Sequence, residues 1–103
     1  FFQQRFAARG LDYLISNRAD QDDLVMPAIA CVKANDLQRA HHLAIQAVEN
    51  LLDAGACAVV LACTETPVAV EFAPHPAAMH CIDATRALAQ ACVAWHRTAT
   101  QAR

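Results

Sequence analysis

The feature that most constrains the fold is a run of apolar residues, 57–62, that closely follows a helix-like segment and Gly55. Glycine is common just past the end of a helix because it adopts a positive φ without steric cost. A strand with one face in water alternates apolar and polar residues, whereas this run is apolar throughout. The pattern therefore predicts an α/β fold, in which a parallel sheet is flanked by helices.

The same order of helix, glycine and apolar run occurs once earlier in the chain. Residues 6–9 resemble the end of a helix, Gly10 follows, and residues 11–15 are mostly apolar. This repetition predicts a second strand at residues 11–15. After it, we expect Asp20 to cap a helix, with Pro27 lying in its early turns or ending it.

A clear amphipathic helix is predicted after Asn35 or Asp36, either of which suits the N-cap position. Apolar residues then recur at three- and four-residue spacing, and His41 falls on the opposite, polar face. The predicted apolar stripe consists of Leu37, Ala40, Leu43, Ala44, Ala47, Val48, Leu51 and Leu52.

The C-terminal part of the chain has its own organisation. Residues 73–76 are predicted as a loop, residues 80–82 as a short strand, and Asp83 as the N-cap of a final helix from residue 84 to about 99. Leu88 and Trp95 belong to the apolar stripe of that helix. We expect Trp95 and the phenylalanines of the chain to lie in the core. The sequence thus divides into an α/β unit, residues 1–72, and a C-terminal unit, residues 73–103.

Candidate functional residues follow the second apolar run, since ligands of open parallel sheets bind beyond the carboxyl ends of the strands. The residues there are Cys63, Thr64, Glu65, Thr66 and Pro67. Threonine before proline is typical of the cap and first residue of a helix, here predicted over residues 68–72. Free N–H groups at a helix start attract anions and favour a thiolate, so both a carboxylate and a reactive thiol suit this place.

Charge and cysteine usage exclude several classes of protein. A net charge of -2 leaves no basic patch for nucleic acid, and no apolar run reaches the roughly 20 residues that cross a bilayer. The five cysteines are odd in number and unevenly spaced, which favours reduced thiols in the cytoplasm over a disulfide framework. Apart from Cys63, they are predicted to be buried apolar residues, and no histidine has metal-site spacing to them. Because Phe1 is not methionine, the chain reads as part of something longer or as a processed product.

Two motifs resemble the aspartate/glutamate racemase family. Residues 55–67 resemble its second cysteine motif, an apolar strand followed by Gly-Cys-Thr-Glu and a proline, and residues 82–86 resemble the start of the helix that follows. The resemblance extends from Phe2 to about His96. It implies that the chain is one lobe, cut short, of a two-lobed racemase fold, in which residues 73–103 pack back toward the first lobe.

The resemblance also implies a reaction. Such racemases hold a small amino acid between two lobes and use one thiol on each side of the α-carbon, without pyridoxal phosphate, metal or other cofactor. Cys63 would be the acid/base thiol of this lobe, and Thr64 would bind the substrate carboxylate through its N–H and hydroxyl. Glu65 would orient the thiol or meet the substrate ammonium, and a glutamate there points to aspartate or to broad specificity. The second thiol would come from the missing N-terminal lobe or from a homodimer partner.

Two departures from the family pattern leave alternatives open. Ala62 stands where the family usually has glycine, and no other cysteine is followed by the Asn-Thr of the first-lobe motif. The chain is then either part of a racemase or a non-catalytic remnant that binds a carboxylate or associates through its bare surface. One-thiol relatives that decarboxylate malonates or isomerise maleate are a third alternative, although Thr64 and Glu65 favour the racemase.

Overall fold

The chain forms six α-helices and a two-stranded sheet within residues 1–102, which the computed structural model describes. Most of the helices precede or flank the first strand, and one long helix follows the second. In chain order the elements are α1 (Phe2–Ala8), α2 (Arg18–Asp20), a π-helical segment (Gln21–Val25), α3 (Met26–Lys33), α4 (Leu37–Asp53), β1 (Val59–Leu61), α5 (Glu65–Glu71), a 3-10 helix (Pro76–His80), β2 (Cys81–Asp83) and α6 (Ala84–Gln101).

The sheet consists of β1 and β2, which run parallel. Val59 lies opposite Cys81, and Leu61 lies opposite Asp83. Val59 and Leu61 are each 7% exposed and face the core, whereas Val60 is half-buried on the other side. The predicted strand at residues 57–62 is therefore confirmed at its centre, and so is its parallel pairing in a helix-rich α/β arrangement.

The core lies where α3, α4 and α5 pack together and against β1. Helix α4 supplies more of it than any other element, through the predicted stripe, to which the structure adds Ile45. Alanine dominates the contact, and Ala40 and Ala69 are fully buried, which lets neighbouring helices approach closely. The buried apolar residues are Ala28, Ala40, Ala44, Ile45, Ala47, Val48, Val59, Leu61, Ala69, Val70 and Ala77.

Gly55 ends α4 as the sequence predicts, with φ of 110°. Two backbone bonds close the helix end: Gly55 N–H donates to Leu52 O, and Ala56 N–H donates to Leu51 O, both at 3.0 Å. A positive φ at this position suits glycine because no side chain is strained by it. The turn delivers the chain from α4 into β1 and so fixes where residues 59–65 lie.

The helical segment formed by α2, the π-helical turn and α3 begins and continues differently from the prediction. Asn17, not Asp20, is the N-cap, because its Oδ1 accepts the Asp20 N–H at 2.8 Å. Pro27 does not end the helix, since it follows a π-helical turn in which Met26 N–H donates to Gln21 O, five residues back. A wider turn accommodates the proline, which has no N–H and clashes with the preceding turn of a regular α-helix.

The strand predicted at residues 11–15 is absent, and that prediction is wrong. Gly10 does end α1, with φ of 70°, but the chain beyond it pairs with neither strand. Leu11, Leu14 and Ile15 are 56%, 52% and 63% exposed. A strand needs a neighbour for its backbone N–H and C=O groups, and none of the described residues lies beside this segment as a strand.

Helix α6 projects from the core instead of packing onto it. Asp83 is its N-cap, as predicted, and Oδ1 accepts the N–H groups of Thr85 at 2.9 Å and Arg86 at 3.3 Å. No residue of α6 is buried, and Leu88 and Trp95 are 66% and 73% exposed. The prediction that Trp95 lies in the core is therefore wrong.

The phenylalanines are also outside the core, contrary to the prediction. Phe1 and Phe72 are 77% and 48% exposed, and α1 contains no buried residue. Projection of the end helices gives a radius of gyration of 15.5 Å, against about 13 Å for a compact domain of this length. None of the helices formed by residues 1–102 combines the length with the apolar character that a bilayer-crossing helix requires.

Candidate active site

Cys63 lies two residues beyond β1, at the carboxyl end of the sheet. At that end of the sheet, Leu61 lies opposite Asp83, the last residue of β2. The Cys63 side chain is half-buried, and the residue is not part of the buried core. The thiol therefore lies at the carboxyl edge of the sheet and is only partly covered.

The sulfur of Cys63 has a hydroxyl neighbour. Cys63 Sγ lies 3.4 Å from Thr66 Oγ1, and the Thr66 hydroxyl lies 3.5 Å from the Cys63 carbonyl oxygen. Thr66 does not cap a helix over residues 68–72, because α5 begins earlier, at Glu65, with Thr64 at the N-cap position. The prediction that Thr66 caps a later helix is therefore wrong. Because it assigned Thr66 to the cap, the sequence analysis did not predict the contact between Thr66 and the thiol.

Glu65 occupies the first turn of α5 and is held by its predecessor. The Thr64 hydroxyl donates to Glu65 Oε2 at 3.0 Å, and this bond is the main reason that the pKa of Glu65 lies below its usual value. A backbone N–H, the positive charge of Lys33 and, least of all, a hydrogen bond from the Cys63 side chain lower the pKa further, against partial desolvation. Glu65 is therefore an anion at neutral pH, close to the sulfur.

The positive charge of Lys33 also influences this site, although the sequence analysis did not select the residue. It is the last residue of α3, and its positive charge acts on Glu65. Cations are favoured at the carboxyl end of a helix, where unpaired carbonyl groups gather. A lone lysine within the apolar segment 29–34 was the available sequence signal.

The other cysteines differ in exposure. Cys81 is at the amino end of β2, opposite Val59, and burial raises the pKa of its thiol. Cys31 is half-buried against the core, whereas Cys57 and Cys92 are exposed, so the prediction of burial is wrong for these two. In the described part of the chain, no three histidine, cysteine or acidic side chains form a group that could hold a metal ion.

Two histidines brace α5 and the segment after it. His41 Nδ1 lies 2.9 Å from the Ala69 carbonyl oxygen, so His41 joins α4 to α5. The prediction had placed His41 on the polar face of the helix, away from such a contact. His75 Nδ1 accepts the Ala77 N–H at 3.1 Å, and its Nε2 lies 3.5 Å from Glu49 of α4. The His41 contact joins the helix that carries Glu65 and Thr66 to α4, and the His75 contacts join the segment after that helix to α4.

Comparison with known proteins identifies the family. The profile of the family described as Asp/Glu/Hydantoin racemase matches residues 1–92. The chain belongs to this family. The resemblance noted in the sequence is therefore confirmed.

One curated relative matches almost the whole chain. The "Uncharacterized protein in pnlA 3'region" of Pectobacterium carotovorum subsp. carotovorum is 31% identical over 97 residues, which cover 94% of the present chain. The chain spans 64% of that relative, which is less than two thirds of its length. No solved structure matches this member of the Asp/Glu/hydantoin racemase family.

Proposed function

We propose that Cys63 is one of two thiols that move the α-proton in a racemase acting on a small acidic amino acid. The observation that carries the proposal is the place of Cys63: accessible, just beyond the carboxyl end of β1, and hydrogen-bonded to Thr66. Membership of the Asp/Glu/hydantoin racemase family supports the reaction type. The ionised Glu65 and the nearby Lys33 support a charged substrate.

The proposed step is a proton transfer at the α-carbon. The Cys63 thiolate removes the proton from one enantiomer, so that a C–H bond breaks, an S–H bond forms and the electron pair stays on carbon. A second thiol then delivers a proton to the opposite face, and the roles exchange for the other enantiomer. That second thiol comes from a first lobe outside this chain or from a partner copy, and no cofactor takes part.

The charged groups at the site fit an amino acid with an additional carboxylate. Glu65 meets the substrate ammonium, and Lys33 attracts a carboxylate. Thr64 contributes its backbone N–H to the α-carboxylate, while its hydroxyl keeps Glu65 in place through the 3.0 Å bond. Fixed charges and donors of this kind stabilise the developing carbanion because they need no reorganisation during the reaction.

Exchange of the α-proton for deuterium in heavy water tests the proposal. The full-length protein should exchange the α-proton of aspartate or glutamate, and proton NMR measures the exchange. A hydantoin serves as the uncharged substrate for comparison. We expect Cys63→Ala to slow exchange of the enantiomer that Cys63 deprotonates by about 100-fold or more. Cys57→Ala, which removes an exposed thiol at the other end of β1, should leave the rate unchanged. A wild-type rate with both enantiomers in Cys63→Ala would refute the role of the thiol.

A second candidate function follows from the exposed apolar side chains of α6. Leu88, Val93 and Trp95 are at least half exposed, which favours association of this chain with another protein surface. In that case the chain alone is non-catalytic and binds a carboxylate or a partner. Turnover by the isolated 103-residue chain would rule this candidate out.

Release of carbon dioxide from a malonate would instead identify a one-thiol decarboxylase.

A further inference from the structure

The two threonines beside Glu65 have different partners. Thr64 gives its hydroxyl hydrogen to Glu65 Oε2 at 3.0 Å. Thr66 lies on the other side, with its hydroxyl 3.4 Å from Cys63 Sγ and 3.5 Å from the Cys63 carbonyl oxygen. The Thr64 hydroxyl is therefore hydrogen-bonded to the carboxylate, and the Thr66 hydroxyl is the one that contacts the sulfur.

We propose that Thr66 is a positioning residue that keeps Cys63 hydrogen-bonded in both of its protonation states. The inference rests on the proposed function, in which the sulfur must be a thiolate before it accepts a proton and a thiol before it donates one. A hydroxyl can do both tasks because it has one hydrogen to donate and lone pairs that accept. A carboxylate such as Glu65 only accepts and would repel a negative sulfur.

In the thiol state, the S–H group of Cys63 donates to Thr66 Oγ1 while the Thr66 hydroxyl donates to the Cys63 carbonyl. The latter bond is 3.5 Å long, at the outer limit for a hydrogen bond, so little is lost when it breaks. In the thiolate state, the hydroxyl rotates and donates to sulfur instead. A bond to a charged acceptor is stronger than a neutral one, which favours this exchange of partners. Thr66 neither gains nor loses a proton.

The contact is also local, which keeps the sulfur in one place. Thr66 follows Cys63 by three residues, and both are half-buried at the start of α5. The next residues, Pro67, Ala69 and Val70, are buried in the core and fix the position of the helix. The hydroxyl thus stays beside the sulfur while the sulfur changes its charge.

The pH dependence of thiol alkylation tests the proposal without requiring catalysis. Iodoacetamide reacts with thiolates, and mass spectrometry of the 103-residue chain separates Cys63 from the exposed Cys57 and Cys92, which act as internal references. We expect Thr66→Val, which is nearly isosteric, to slow Cys63 alkylation at pH 7 by about tenfold, because one hydrogen bond to a charged acceptor is lost. Thr66→Ser keeps the hydroxyl and should stay within about twofold of wild type.

A matched control is Thr98→Val, which removes an exposed threonine hydroxyl on α6 and should leave the Cys63 profile in place. Identical profiles for wild type and Thr66→Val would overturn the proposal. Equal shifts in Thr66→Val and Thr66→Ser would also overturn it, because packing rather than the hydroxyl would then be responsible. Circular dichroism of each variant verifies that the chain is folded.

The full-length protein separates this inference from the proposed function. If α-proton exchange occurs, Thr66→Val should lower kcat more than it changes KM, and Thr66→Ser should restore most of it. A displaced alkylation profile in Thr66→Val, with no α-proton exchange by the wild-type protein, would refute the racemase while supporting the hydrogen bond. An unchanged alkylation profile in Thr66→Val, with normal α-proton exchange by the wild-type protein, would support the racemase and refute the role of Thr66.

Discussion

Val70 holds α5 in place, and shortening it should destabilise the whole chain. Val70 is 1% exposed, the largest side chain that is fully buried, and it belongs to the cluster that joins α3, α4 and α5. Val70→Ala removes two carbon atoms, which costs about 1.6 kcal/mol of transfer free energy. The cavity left behind adds about 1 kcal/mol, since neighbouring side chains relax only in part. We expect the free energy of unfolding to fall by about 2.5 kcal/mol.

Urea denaturation followed by far-UV circular dichroism measures this loss. A chain of this length has an unfolding free energy of about 5–15 kcal/mol, so the change is a large fraction of the total. Val93→Ala is the matched control, because it removes the same atoms from a side chain on α6 that is 50% exposed. It should change the unfolding free energy by about 0.5 kcal/mol or less. Equal losses in the two variants would refute the assignment of the core.

Two further predictions concern local hydrogen bonds. Thr64→Val should raise the pKa of Glu65 toward its usual value, as measured by carbon NMR titration, and an unchanged titration would contradict the role of the hydroxyl. Because the pKa of Glu65 is lowered in the folded chain, its contribution to stability is present above about pH 4.3 and is lost as the pH falls. The stability of Thr64→Val should therefore decrease less on acidification than that of the wild-type chain. Asp83→Ala should cost about 1 kcal/mol and reduce the helix signal, since Asp83 caps two N–H groups of α6. Full retention of helicity would show that the cap contributes little.

Features fixed by neighbouring residues could be predicted from the sequence. Gly55 ends a helix because of its backbone freedom, and Asp83 caps one through a bond to residues close by in the chain. The apolar stripe of α4 identified its buried face for the same reason. The position of Cys63 just beyond β1 followed from these local boundaries.

Features that depend on distant residues could not be predicted in the same way. Residues 11–15 have the composition of a strand, but a strand exists only where another lies beside it. The stripe that contains Leu88 and Trp95 indicates an amphipathic helix without saying what covers it. Lys33 and Glu65 are far apart in sequence, and only the packing of α3 against α5 brings the charge of Lys33 to bear on Glu65.

The uneven distribution of buried side chains means that the molecule does not open all at once. Within residues 1–102, every buried residue belongs to α3, α4, β1, α5 or the 3-10 helix, whereas α1 and α6 have none. Amide hydrogens in these two end helices should therefore exchange with solvent through local fraying, long before those of α4. Unravelling of α6 then leaves the turn that carries Cys63 and Thr66 anchored by α5.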